Sequence, residues 1–385
     1  MTMAARKSDT PRSGPDLVIA AIALCLVVLG LVMVYSASSP LALRRFNDPA
    51  HFALRNGVYA LLGLIIMAAL SKMPLETIRK MGTIAFIPAL ILLFLVLIPG
   101  IGHETNGARR WIRLGFLTIQ PSEPFKVILI LWLANFLAVS PERAMRFKGG
   151  IFPLMWLFAI VAALLLAEPD FGSTLMVGTI MMGMIFVAGI PFIWIATLLM
   201  MAVPAAAVAV ISAPYRLKRV TSFMDPWDDP RNSDFQLVQS LLSFGNGGVS
   251  GLGLGEGRQK QFYLPESHTD FILAVIGEEL GLIWVVALLL LFALLVWRGL
   301  QVARQATDRF ACLAATGITV WIGTQAIANA GVVMGLLPPK GLTLPMVSYG
   351  GSSLMVTLTA MGLLMAFSRP HDTSKRAMAS REAAT

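Results

Sequence analysis

Residues 263–297 read YLPESHTDFILAVIGEELGLIWVVALLLLFALLVW, and this stretch decides what kind of protein the chain is. A polar segment ends in Asp270. From Phe271 to Trp297 the chain then stays apolar for longer than the roughly 20 residues a helix needs to cross a bilayer. Two acids, Glu278 and Glu279, sit about two helical turns into that run. An ionisable side chain at the centre of a membrane helix costs roughly 2.5 to 3.5 kcal/mol on insertion scales. Three carboxylates at one mouth of such a helix mark a place where charge is used.

The rest of the chain follows the same pattern. Hydrophobic residues make up 57% and charged residues 13%, with a mean hydropathy of +0.75. No soluble domain could cover that much apolar surface. Spanning runs recur at 17–35, 57–71, 83–99, 121–139, 151–167, 173–190, 192–212, 271–297, 308–334 and 343–367. They predict an all-α polytopic membrane protein with ten transmembrane helices. Leu17–Tyr35 reads as a retained first span, because no small-residue cleavage site accompanies it. The two cysteines, Cys25 and Cys312, lie in apolar runs, and the four histidines are scattered, so no metal cluster is expected.

The net charge of +9 does not point to nucleic acid, because the basic residues sit at the ends of apolar segments. An even number of spans puts both termini on one side. With the termini inside, the tails and inner loops hold Arg6, Lys7, Arg12, Lys72, Arg79, Lys80, Arg143, Arg146, Lys148, Arg298, Arg304, Arg309, Arg369, Lys375, Arg376 and Arg381. These are about half of the 30 basic residues, a bias that favours cytoplasmic termini. The organisation is then a tail at 1–16, a membrane domain at 17–369 and a tail at 370–385. A large outer loop, 213–269, lies between the seventh and eighth spans. It is short for an independent domain and is expected to fold over the outer mouth of the bundle.

Each candidate motif has a plain reading beside a functional one. Asp270 follows Thr269 and could cap the helix it precedes. Glu278 and Glu279 could pair inside the bundle, with Gln325, Asn329 or Asn135 as partners, or meet a substrate. Arg109, Arg110, Trp111 and Arg113 read as an interfacial Trp with solvated arginines, or as a pyrophosphate clamp. Glu123 and Lys126 share a helical face and can form an ion pair. Gly251, Gly253, Gly255 and Gly257 lack nucleotide-loop spacing and read as turns in a flexible loop. Ser348 to Ser353, in LPMVSYGGSS, either let helices pack closely or line a polar cavity.

Taken in order, NGARRWIRLG-FLTIQPSE, EPDFGS, PYRLKRVTSFMDPWDDP, QLVQSLLSFGNGG, QKQFYLPESHTDFI, GEELG and KGLTLPMVSYGGSS resemble the SEDS family (shape, elongation, division, sporulation) from about residue 17 to 369. Trp227 and Lys340 lean towards its division branch rather than its elongation branch. Asn232-Ser233-Asp234-Phe235-Gln236 and Leu273 depart from the family pattern outside the HTD triplet.

The resemblance implies a peptidoglycan glycosyltransferase of the bacterial cytoplasmic (inner) membrane at the division septum. It polymerises lipid II and works with a class B penicillin-binding protein and other division proteins. Asp270 matches the family's essential acid. Arg110, Trp111 and Lys126 match its Arg-Trp pair and fourth-span Lys. Glu266, His268, Thr269, Lys340, Ser348 and Ser352 are expected to touch substrate, with Arg109, Glu123, Gln239, Glu278 and Glu279 in support.

Joining an α-linked pyrophosphate donor to a β-1,4 product requires inversion. That needs a base at the acceptor hydroxyl and charge stabilisation at the leaving group. Asp270 is expected as the base, with Arg110, Lys126 or Lys340 at the pyrophosphate. A divalent cation, Mg or Mn, is a candidate to share that task. A lipid II flippase is the reading from another class, kept open by Glu278 and Glu279. A non-catalytic division scaffold is a third.

Overall fold

The structure, a computed structural model, describes residues 14–105, 107–115, 117–228, 235–339 and 341–369. Helices α1 (Leu17–Phe46), α2 (His51–Leu70), α3 (Leu75–Leu95) and α4 (Ser122–Val139) open the bundle. A short α5 (Pro141–Met145) and a π-helical turn, Phe147–Ile151, lead into α6 (Phe152–Ala167). Then come α7 (Phe171–Val187), α8 (Phe192–Ile211), α9 (Pro214–Met224), α10 (Phe235–Gly247), α11 (Ile272–Leu280), α12 (Leu282–Gln305), α13 (Arg309–Val333) and α14 (Gly351–Phe367). Among the described residues eight helices are long and apolar enough to cross a membrane, and α7 and α14 are shorter apolar helices.

Burial sorts these helices. In α13 78% of the apolar window is buried, whereas in α8 only 6% is. So α13 is the central post, packed on α4, α7 and α12, and α8 stands at the edge. Small residues allow the closest approaches. Along the α2–α14 seam a Cβ on Gly362 would lie 2.6 Å from the Met67 carbonyl oxygen.

The chain ends of α1 and α14 meet on one face, here the terminal face. The Asp16 N–H donates to Ser368 Oγ at 2.9 Å, and the Asp16 carboxylate pairs with Arg298 at 2.6 Å. Asp308 caps α13 through the Phe310 N–H at 2.8 Å and pairs with Arg79 at 2.9 Å.

Three expectations need correcting. The chain is not purely helical: β1 (His103–Thr105), β2 (Ala108–Leu114) and β3 (Leu117–Ile119) form an antiparallel sheet on the far face. The run 271–297 is not one span. Gly281, with φ 83°, separates the buried α11 from α12, and a Cβ there would meet the Gly251 nitrogen at 2.3 Å. Nine residues of α11 rise about 14 Å, too little to cross a bilayer. The last span likewise starts at Gly351, after an irregular segment.

Candidate functional site

The far-face loops enclose a cavity of about 840 Å³. Its walls come from β2, the α6–α7 turn, α9, the loop before α11 and the segment before α14. Asp270 lines it, one residue ahead of the position that opens α11. Phe271 occupies the N-cap position of that helix and no side chain caps it, so Asp270 does not spend its carboxylate on capping. The Asn329 amide donates to the Asp270 backbone carbonyl at 2.8 Å and fixes the residue from α13. Among the described residues the Asp270 carboxylate itself accepts no hydrogen bond. Burial, then the charge of Glu266, pushes its pKa up to about 7, against the pull of Arg219 and Arg110.

The neighbours of Asp270 are held in a tight loop. Glu266 adopts φ 53°, and its carboxylate accepts the Thr269 hydroxyl at 2.8 Å. The His268 ring lies 5.1 Å from Phe52 and 5.5 Å from Tyr349, and burial lowers its pKa, which favours the neutral imidazole. The Tyr349 N–H donates to the His268 carbonyl at 2.9 Å, which ties this loop to the segment before α14.

The opposite walls are cationic. Arg55, Arg110, Arg113, Arg216 and Arg219 all line the cavity. Pairing with β1 and β3 fixes β2, and Arg110 donates to the carbonyls of Glu168 at 2.9 Å and Pro169 at 2.5 Å. On α9 the cavity-lining stripe is Arg216, Arg219 and Val220, at helical spacing, while Lys218 faces outward. Arg216 is anchored to the Ala209 carbonyl at 2.8 Å. Asp170, also in the wall, is already engaged by Ser173 Oγ at 2.7 Å and the Gln120 amide at 3.1 Å. Glu168 beneath it is fully buried with both carboxyl oxygens unpartnered among the described residues, and burial pushes its pKa up to about 9.

Several expected residues lie away from the cavity. Lys126 is wholly buried, paired with Glu123 at 2.8 Å and stacked over Trp321 at 4.9 Å, while Glu123 reaches the cavity wall. The expected i, i+3 ion pair therefore forms, and Lys126 does not itself line the cavity. Arg109 pairs with Glu104 at 3.1 Å on the exposed edge of the sheet. Ser348 accepts the Leu344 N–H at 2.8 Å and Ser352 accepts the Gln120 N–H at 3.3 Å, whereas Tyr349, Gly350, Gly351 and Ser353 reach the cavity. Gln236 lines the cavity in place of Gln239, one turn further along α10. Lys340 lies outside the described residues.

Glu278 and Glu279 do something else. None of Gln325, Asn329 and Asn135 bonds to either. The Glu278 carboxylate accepts the Gln259 N–H at 3.1 Å. Glu279 accepts from Ser36 Oγ at 2.7 Å and the Gly255 N–H at 2.9 Å, and pairs with Lys260 at 2.6 Å. Both therefore anchor the segment that leads to Asp270. The Gly-rich turns are anchored with it. Gly251 and Gly253, at φ 80° and 112°, donate to the carbonyls of Gly247 and Glu279, so this loop is pinned rather than free.

Arg55, Glu168, Asp170, Arg216, Arg219 and Gln120 did not stand out as site residues in the sequence. A usable signal was present for Arg216 and Arg219. Two arginines three apart share one helix face, which a helical reading of PYRLKRVTSF would have shown.

Comparison with known proteins agrees with this architecture. Residues 16–373 match the sequence model of the FtsW/RodA/SpoVE family, described as cell cycle protein. A probable peptidoglycan glycosyltransferase FtsW from Geobacter sulfurreducens is 47% identical over 350 residues, covering 91% of this chain and 94% of the relative. Stage V sporulation protein E of Bacillus subtilis is 43% identical over 361 residues, covering 94% and 98%. A chain from a peptidoglycan synthase complex that coordinates polymerization and crosslinking superposes with a TM-score of 0.76 at 32% identity, over 92% of this chain and 97% of that one. The rod shape determining protein RodA of Thermus thermophilus gives 0.69 at 28% identity, over 93% and 98%. A family match along nearly the whole chain, relatives this similar and a shared fold lead to one conclusion: this chain belongs to the FtsW/RodA/SpoVE family of cell cycle proteins.

Proposed function

We infer that this chain is a peptidoglycan glycosyltransferase of cell-wall synthesis that polymerises lipid II in the inner membrane, and that its role is septal. One observation carries the site assignment: an Asp270 carboxylate free of hydrogen bonds among the described residues, in a cavity walled by five arginines. Asp270 accepts the proton of the acceptor 4-hydroxyl as that oxygen attacks the anomeric carbon of the donor. The bond to undecaprenyl pyrophosphate breaks on the opposite face, which inverts the configuration. Arg110, preorganised by two carbonyls, meets the departing charge. A pKa near 7 suits the base, since it is largely ionised just above neutrality yet still basic enough to take a proton.

In this reading α7 and α14 join the eight longer helices as ten crossings, with the termini cytoplasmic and the cavity at the outer leaflet. The lipid tails leave along the bundle surface near α8. A class B penicillin-binding protein is the proposed partner, in line with the synthase complex above. Among the described residues no three His, Cys, Asp or Glu side chains gather to hold a metal, so no step is routed through a protein-held Mg or Mn site. A cation arriving on the pyrophosphate is the form in which that expectation stands. The flippase reading leaned on Glu278 and Glu279, and their full engagement in anchoring the loop favours the enzyme. The FtsW relatives favour division over an elongation role.

The test feeds labelled lipid II to the purified complex with its transpeptidase, comparing wild type with Asp270→Ala. Glycan chains from wild type alone are expected. Polymer from both would move the chemistry elsewhere. Polymer from neither would turn attention to lipid II translocation or a scaffold role.

A further inference from the structure

A second hollow, of about 240 Å³, opens at the terminal face between the end of α4 and α5. From the cavity end to this end α4 rises about 26 Å, so the hollow lies nearly a bilayer away from Asp270. One side is aromatic. Phe86, Trp132 and Phe136 stack in a row, with centroids 4.3 and 5.4 Å apart. Trp132 and Phe136 line the hollow, and Val139, 67% exposed, continues their apolar surface outward.

The other side is polar and unfinished. The Asn135 amide donates to Thr83 Oγ1 at 3.2 Å, but its Oδ1 is buried with no donor among the described residues. That oxygen has under 1 Å² of exposed surface and stays out of a ligand's reach. Across the hollow stands Arg143, whose guanidinium makes no hydrogen bond or ion pair among the described residues. Its stem is held in place, because Gly149 passes so close that a Cβ there would lie 2.8 Å from Arg143 Cγ. Arg146 and Lys148 follow on the same exposed loop, against a single acid, Glu142, so the local charge is positive.

We propose that this hollow binds the headgroup of an anionic glycerophospholipid. The phosphate sits on Arg143, with Arg146 and Lys148 adding positive charge beside it, and an acyl chain runs along Trp132, Phe136 and Val139. Guanidinium geometry suits phosphate oxygens. Basic pockets between helices on the cytoplasmic side are where anionic headgroups are held. Selectivity comes from net charge, because phosphatidylglycerol is an anion while the choline cation of phosphatidylcholine cancels its phosphate charge beside a basic loop.

The test reconstitutes the full chain in nanodiscs of equal phosphatidylglycerol and phosphatidylcholine and counts retained lipids by native mass spectrometry. Phosphatidylglycerol should be retained over phosphatidylcholine by about tenfold, the order of effect of one or two basic side chains at an anionic headgroup. Arg143→Gln should erase most of that preference, and Asn135→Leu, which leaves the basic loop intact, should keep it. Equal retention of the two lipids, or a preference unchanged in Arg143→Gln, overturns the proposal. If neither variant folds, the delipidated wild type decides. Phosphatidylglycerol should raise its melting temperature and phosphatidylcholine should not, and equal rises count against the site.

Discussion

Two clusters of charge, one buried around Lys260 and one half-buried around Asp270, meet the same loop and are built in opposite ways. At Lys260, Glu279 and Ser36 every charge has a partner: an ion pair at 2.6 Å, hydroxyl bonds at 2.7 and 2.9 Å, and the Gly255 amide at 2.9 Å. Ten residues on, at Asp270, the carboxylate is left without a hydrogen bond among the described residues, between a like charge at Glu266 and arginines across an open cavity. Satisfied buried charges specify a shape, while unsatisfied ones stay available for a ligand. The first cluster holds the loop still so that the second can remain strained in electrostatic terms.

The sharpest way to break this contrast is at the two acids themselves. Asp270→Asn should cut glycan polymerisation by roughly 10²- to 10⁴-fold, as loss of a general base does, and leave the melting temperature of the purified complex near that of wild type. Glu279→Ala should do the reverse. It strands the Lys260 charge and should cost about 3–5 kcal/mol of stability, seen as a lower melting temperature and poorer yield. Activity should fall only in step with folded protein. Were Glu279→Ala to stay fully folded but lose all activity, the division into anchor and site would be wrong.

Arg110→Ala comes next, with a fall of about 10²-fold in turnover for one lost transition-state contact. The lipid II concentration at half-maximal rate should change less. The smallest effect is a shift in pH profile. Because the base works ionised and its pKa is about 7, polymerisation should rise from pH 6 to pH 8 and then level. Glu266→Gln removes a like charge, which favours the carboxylate and moves that limb to lower pH. Arg219→Gln removes an opposite charge and moves it higher. A limb that moves the same way in both variants would exclude Asp270 as the titrating group.

Much of the site was visible in one dimension, and the reasons differ by residue. Asp270 stood out because a carboxylate at the mouth of an apolar run is costly whatever the fold. Arg110 stood out because a cation in a loop read as outer opposes the usual charge bias, and Trp111 because an aromatic beside such cations marks an interface. Lys126 stood out by its spacing from Glu123 and by the family resemblance, and it ends up enclosed by Glu123 and Trp321, since a helix face can turn inward as easily as towards a cavity. Arg216 and Arg219 lay in a segment read as a loop, and the α9 helix places them on one face.

By itself the sequence determined that this is a multi-helix membrane protein and which way its charges lean, and it singled out Asp270 as the acid to test. Apolar length and the cost of charge in lipid are local properties that need no partner. The tertiary structure decided the rest. It broke the run after Asp270 into α11 and α12 at Gly281, because that glycine lies against the backbone of a loop some thirty residues earlier. It turned Glu278 and Glu279 from a suspected transport path into anchors, and it gathered arginines from three separate segments around one carboxylate. Burial and pairing depend on what the fold brings alongside each residue, and no spacing along the chain encodes that.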